Sequence, residues 1–128
     1  MKDSLKIGII AGEHSGDILG ENLLKALKKI KNVEIFGVGG PKMESQGLKS
    51  LFDFNNLNIM GFVDPIINYS KISAYKNDVC KLFIAKKIDI FIGIDSPDFN
   101  MQIQKKLKKK TNIKTVQLVT PSIWAWRK

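Results

Sequence analysis

Apolar residues recur along this chain with two different periods. Short apolar runs at 5–10, 33–38, 88–94 and 114–119 read as strands, and the run Ile88-Asp89-Ile90-Phe91-Ile92 reads as one buried in a parallel sheet. After the first run, Ile18, Leu19, Leu23, Ala26, Leu27 and Ile30 fall on one face of a helix that ends near Ile30. Pro41 opens a short helix over 41–46, and Gly47 is placed to stop it. Residues 48–52 are a candidate short strand, and 55–60 a helical turn or loop. A longer, interrupted helical pattern covers 64–87, and 101–107 carries a further helix. Strands alternating with helices predict a parallel sheet with right-handed crossovers. The expected fold class is α/β: a Rossmann-like parallel sheet flanked by helices. No internal repeat, low-complexity tract or linker divides it, so 1–128 reads as a single domain.

Composition narrows the chemistry. The 128 residues are 44% hydrophobic and 26% charged, ordinary for a soluble globular domain with room for one core. A single cysteine, Cys80, excludes an internal disulfide, and its place in a helical pattern suits packing better than catalysis. With one histidine, His14, a His/Cys metal site is not expected. No stretch of about 18 apolar residues is present, so no spanning helix is expected. The first strand follows Met1-Lys2-Asp3-Ser4 directly, which leaves no room for a signal peptide and makes the cytoplasm the expected compartment.

Charge changes the picture further. Lys plus Arg number 21 against 12 Asp plus Glu, a net +9, and Arg127 is the only arginine. Lysine is a hydrated point charge, whereas arginine grips phosphates and bases in a fork. A lysine-rich surface therefore fits loose attraction to anionic lipid or nucleic acid better than specific base readout. The densest run, Lys105-Lys106-Leu107-Lys108-Lys109-Lys110, also reads simply as a solvated helix end where cations suit the dipole. No aromatic residues interleave with it to make a single-strand platform.

Three segments carry candidate chemistry. Gly93-Ile94-Asp95-Ser96-Pro97-Asp98-Phe99-Asn100 joins a buried strand to a helix, so two carboxylates stand at the carboxyl end of a strand, where open α/β sheets bind ligands. A carboxylate there can hold a hydroxyl or take its proton. Asp98 or Asn100 can equally cap the helix that follows, whereas Asp95 lies on the strand side of Pro97. The first strand-to-helix turn, Ala11-Gly12-Glu13-His14-Ser15-Gly16-Asp17, is placed like a phosphate loop but matches neither the dinucleotide fingerprint nor the Walker loop. Glu13 would repel phosphate yet suits sugar hydroxyls. Ser15 or Asp17 is a helix-cap candidate, and His14 is either a polar loop residue or a substrate contact. Between the two, Val63, Ile66, Tyr69 and Ile72 form one helical stripe with Phe62 and Ile67 beside it. That stripe is either core or an apolar ramp that meets acyl chains at a bilayer surface.

These segments, taken in order, resemble one family. Ile10-Ala11-Gly12-Glu13-His14-Ser15-Gly16-Asp17-Ile18-Leu19-Gly20 is similar to the start of the lipid-A-disaccharide synthases. So are Gly37-Val38-Gly39-Gly40-Pro41-Lys42-Met43, Ile59-Met60-Gly61-Phe62, the Gly93–Asn100 segment, and Thr120-Pro121-Ser122-Ile123-Trp124-Ala125-Trp126-Arg127. The paired tryptophans, Trp124 and Trp126, are rare by chance, although an aromatic plug at a sheet edge or domain interface would also use them.

The resemblance implies an inverting glycosyltransferase of two Rossmann-like halves (GT-B) that needs no metal or cofactor, the UDP-sugar being a substrate. It implies transfer from UDP-2,3-diacylglucosamine to 2,3-diacylglucosamine 1-phosphate, which forms lipid A disaccharide and UDP. By the same analogy Asp95 is the base, and Glu13, His14, Ser15, Asp17, Asp98 and Asn100 are substrate-binding candidates. Phe62, Val63, Ile66, Tyr69 and Ile72 would be the membrane or acyl surface of a peripheral protein at the inner face of the inner membrane. The partners expected are acylated glucosamines, that membrane surface and, if separately encoded, a C-terminal half, with no specific nucleic acid. The family's second half supplies most UDP-binding residues, so 128 residues are expected to be inactive alone. A nucleotide- or phosphate-binding regulatory module is the alternative from another class, and a basic nucleic-acid-binding domain is a further one that rests on charge alone.

Overall fold

The structure is a computed structural model that describes residues 4–55, 69–95 and 97–118, with the backbone alone for Tyr69, Pro97 and Asp98. Five strands, β1 (Leu5–Ala11), β2 (Val33–Val38), β3 (Lys49–Ser50), β4 (Ile90–Ile94) and β5 (Lys114–Leu118), form one sheet in the order β3-β2-β1-β4-β5. All four pairings are parallel. The helices are α1 (His14–Ile30), α2 (Pro41–Glu44), α3 (Tyr69–Lys86) and α4 (Pro97–Lys110). The Rossmann-like α/β expectation is what the chain adopts.

Strand register divides the apolar residues between two layers. Ile7, Ile9 and Ala11 of β1 pair with Ile90, Ile92 and Ile94 of β4. With Ile35 they face Leu24 of α1 and Met43 of α2. On the other face Ile10, Val38 and Phe91 pack under Val79, Cys80 and Phe83 of α3 and Ile103 and Leu107 of α4. A parallel sheet covered on both faces needs such near-continuous apolar strands. Right-handed crossovers that leave β1 and β4 in opposite directions put their helices on opposite faces.

Element ends follow local chemistry. Gly47, left-handed at φ 110, ends α2 as expected: its N–H donates to the Glu44 carbonyl, and Leu48 N–H reaches back to Met43. The same two-bond closure ends α3, where Lys87 N–H donates to Ile84 and Ile88 N–H to Phe83. There the left-handed residue is Lys87, at φ 55. Both ends are Schellman motifs, and Phe83 and Ile88 supply the apolar contact that accompanies one.

The first helix corrects one expectation. It starts at His14, four residues before Ile18, so the β1–α1 connection is only Gly12-Glu13. Gly16, which reads as a turn residue in sequence, lies inside α1 in a tightly packed position, as does Gly20 one turn further on. A Cβ on Gly16 would stand 3.1 Å from Ile94 Cγ2 and 3.3 Å from Ala11 Cβ, and one on Gly20 would collide with Met43. The expected α4 also lengthens, from 101–107 to Pro97–Lys110.

Candidate functional site

In this strand order the chain leaves β1 toward one edge of the sheet and leaves β4 toward the other. A crevice opens where two such neighbours part, outside their carboxyl ends, and ligands of open α/β sheets bind there. Here the crevice is bounded by the paired residues Ala11 and Ile94. Glu13, His14 and Ser15 follow the first and are exposed; Asp95 follows the second and is half-buried. Two segments separated by about 80 residues in sequence thus meet at one edge.

Asp95 closes on the first turn of α1. A Cβ added to Gly16 would lie 3.6 Å from Asp95 Oδ2, so the carboxylate stands directly beside that turn. Glu13 is the N-cap of α1, with extended backbone (φ −140, ψ 160) and no side-chain capping bond, which leaves its carboxylate on the surface. His14 packs its ring edge-on against the buried Phe54, with centroids 5.2 Å apart at 86°. The helix-cap alternative for Ser15 is not realised, because Glu13 holds the cap position.

Asp95 itself is held by its backbone. Its φ of 51 is left-handed, a conformation that costs a residue with a side chain of the order of 1 kcal/mol or more. Its N–H donates to the Leu118 carbonyl at 2.8 Å. Its own carbonyl accepts Asn100 Nδ2 at 2.7 Å and Gln117 Nε2 at 3.1 Å. Asn100 is fully buried. Among the described residues none donates to its Oδ1.

Asp17 faces inward rather than into the crevice. It is 1% exposed, and three backbone N–H groups donate to its carboxylate: Gly40 at 3.0 Å, Met43 at 2.9 Å and Lys42 at 3.0 Å. Asp17 therefore caps α2, a helix other than its own. A Cβ on Gly40 would come within 2.5 Å of Asp17 Oδ2, so a glycine is required there. The backbone amides at the start of α2 are thus occupied by a side chain from α1. Ser50 extends the bracing: its Oγ accepts Gly39 N–H at 3.0 Å and donates to the Phe52 carbonyl at 2.6 Å.

Of the candidates named from sequence, Glu13, His14, Ser15 and Asp95 lie at the carboxyl ends of β1 and β4, whereas Asp17 and Asn100 are buried and bonded to backbone, Asp17 at the start of α2 and Asn100 at the Asp95 carbonyl. Sequence reasoning missed Gln117, which sits in a strand pattern with no distinguishing signal, and Phe54, whose ring supports His14. Asp98 lies in the first turn of α4, with its side chain outside the described residues. Phe62, Val63 and Ile66 also lie outside them, as does the 120–127 segment. Tyr69 opens α3, and Ile72 is half-buried on that helix.

Two further surface grooves are lined by lysines. One groove is lined by Lys28, Lys29, Ile30, Lys31 and Asn32 at the end of α1. A second lies between α3 and α4, where Lys81, Lys106, Lys109 and Lys110 surround Cys80. Burial pushes the Cys80 thiol above its usual range, against the partial opposition of Lys106, Lys110 and Lys76. Among the described residues no group of three His, Cys, Asp or Glu side chains could hold a metal, and no helix is long and apolar enough to cross a membrane.

Comparison with known proteins shows the family. A protein-family model described as lipid-A-disaccharide synthetase matches residues 7–128. The chain is 50% identical over 124 residues to a lipid-A-disaccharide synthase of Pseudoalteromonas translucida, which covers 96% of this chain and 32% of that protein. It is 48% identical over 128 residues to the one from Vibrio parahaemolyticus (99% and 34%) and 47% identical over 123 residues to the one from Blochmanniella pennsylvanica (95% and 32%). The chain thus spans about a third of the length of the curated relatives it matches. With a parallel α/β sheet, a carboxylate crevice at its switch point and near-complete coverage by one family model, this chain belongs to the lipid-A-disaccharide synthase family, a family of glycosyltransferases.

Proposed function

We propose that this chain is the acceptor-side, N-terminal part of a two-domain inverting enzyme that joins UDP-2,3-diacylglucosamine to 2,3-diacylglucosamine 1-phosphate. The observation that carries this reading is the meeting of Asp95 with the first turn of α1 at the switch-point crevice, in a chain of this family. Asp95 takes the proton of the acceptor 6-hydroxyl as that oxygen attacks the anomeric carbon of the donor. The anomeric C–O bond to UDP breaks as the new glycosidic bond forms, with inversion at carbon. Glu13 and Ser15, exposed at the mouth, hydrogen-bond sugar hydroxyls, and His14 is held against Phe54 for a contact of the same kind. Asp98 remains a candidate substrate contact. Asp17 and Asn100 serve from beneath, through the backbone they hold. The reaction as proposed uses no metal or cofactor from this chain.

The donor site belongs to the two-thirds of the relatives that this chain does not span. Disaccharide synthesis is therefore expected only when a complementary C-terminal portion is supplied. Mixing the two and following product from both lipid substrates tests this. Asp95→Asn should lower the rate by about 100-fold or more, the usual worth of a general base. Turnover by this chain alone, or a fully active Asp95→Asn variant, would overturn the assignment. The stripe Phe62, Val63, Ile66, Tyr69 and Ile72 is proposed as the acyl or membrane surface, with peripheral attachment at the cytoplasmic face of the inner membrane.

A further inference from the structure

We propose that Asn100 and Gln117 are positioning residues, a pair of amides that clamp the Asp95 carbonyl and so set where the Asp95 carboxylate stands. The functional meaning of this clamp rests on the reading of Asp95 as the base; its geometry does not.

The two donors come from different elements. Asn100 is the fourth residue of α4 and Gln117 the fourth of β5, yet both reach one oxygen. The Asn100 amide is fully buried, and its bond to Asp95 is the one its Nδ2 makes among the described residues. Space for the pair is made by Gly93. A Cβ there would lie 2.6 Å from Gln117 Oε1, 2.8 Å from Asn100 Nδ2 and 2.9 Å from Asn100 Cβ. Gly93, Asn100 and Gln117 thus form one device, assembled where β4, β5 and α4 meet.

What the device holds is a left-handed aspartate. An L-residue leaves that region readily unless its surroundings over-determine it. Asp95 is pinned on both sides of its Cα: its N–H is tied to Leu118 and its carbonyl to the two amides. With both peptide planes fixed, the Cα–Cβ bond has one direction, and that direction carries Oδ2 to the first turn of α1. A relaxed, right-handed Asp95 would swing the carboxylate away. Misplacement of a reacting group by about 1 Å commonly costs about 100-fold in rate, so a carbonyl clamp is a sensible place for a structure to spend two side-chain amides.

The test uses the 128-residue chain, labelled for NMR. Gln117 is exposed, so Gln117→Glu removes its donor at constant size without disturbing the core. Asn100→Asp does the same at the buried position. The expected result is an upfield move of the Asp95 carbonyl carbon and a weakened Asp95–Gly16 contact in the NOE spectrum. Gln117→Lys, which restores a donor, should recover the wild-type signals. If Asn100→Asp fails to fold, the two Gln117 variants decide the matter alone. An unchanged Asp95 carbonyl resonance and an unchanged Asp95–Gly16 contact in folded Gln117→Glu would overturn the clamp. A second arm measures disaccharide synthesis with the complementary portion added. There the clamp variants should lose kcat by about tenfold or more while KM for the acceptor holds. Wild-type kcat in those variants, alongside an inactive Asp95→Asn, would overturn the positioning role. An active Asp95→Asn would instead sink the base assignment, and the NMR arm would still decide the clamp.

Discussion

Asp17 brings a carboxylate into the interior and meets three backbone donors there, an arrangement that makes its removal expensive. Asp17→Ala would strand the buried Gly40 and Met43 N–H groups, and each unsatisfied donor costs about 1–3 kcal/mol. Urea unfolding should show a loss of about 3 kcal/mol, and Asp17→Asn, which keeps one acceptor oxygen, a smaller one. A loss near zero would mean that water replaces the carboxylate. Cys80 gives a second test at this scale. With its folded thiol raised by burial, the unfolded chain releases the proton first as pH rises, so folding loses stability above the usual thiol range of about 8.5. The stability difference between the wild type and Cys80→Ala should therefore move against the wild type across that range, while thiol reagents react slowly until the chain unfolds. Identical pH slopes in the two proteins would contradict the burial. The residue types in both loops were legible as chemistry. Their directions were not, because the partners of Asp17 lie 23, 25 and 26 residues away in sequence.

At the scale of elements, the two Schellman ends make a controlled comparison. Gly47 occupies the left-handed position after α2 and Lys87 the same position after α3. A side chain there carries a penalty that glycine avoids, so Lys87→Gly should stabilise the chain by about 0.5–1 kcal/mol, seen as a raised Tm. A lowered Tm would show that the lysine stem contributes more by packing than it costs by conformation. Glycine misled the reading of α1 for a related reason. Gly16 looked like a turn residue, but it lies on the face of α1 that touches Ile94, where a Cβ would stand only 3.1 Å away. A glycine chosen for conformation and one chosen for contact look alike in sequence. The inner strands β1 and β2 were read to within a residue, since a strand buried on both faces must be near-continuously apolar, whereas β3 shortens from 48–52 to Lys49–Ser50 and β4 from 88–94 to Ile90–Ile94.

At the scale of the whole molecule, topology places the helix-end lysines. Helices that return antiparallel to the strands place their last turns at the edge away from the crevice. Lys28, Lys29, Lys86, Lys108, Lys109 and Lys110 occupy those last turns. Glu13, Asp17 and Asp95 gather at the other edge. Electrostatic attraction to anionic vesicles should therefore be strong at low salt and fade as the screening length falls from about 30 Å at 0.01 M to about 8 Å at 0.15 M. Co-sedimentation at the two salt concentrations, with Ile66→Ser as a companion variant, separates the charge contribution from that of the apolar stripe. Binding equal on neutral and anionic vesicles would remove the lysines from the account. The sequence alone determined the α/β class, the order of the strands along the chain, the two chemical loops and the family resemblance, because periodicity and local motifs are properties of neighbouring residues. Only the tertiary structure decided that Asp95 stands beside the first turn of α1, that Asp17 caps α2, and that Asn100 and Gln117 share one carbonyl. Those are contacts between residues far apart in the chain, and they exist only once the sheet has set β1 beside β4 and β4 beside β5.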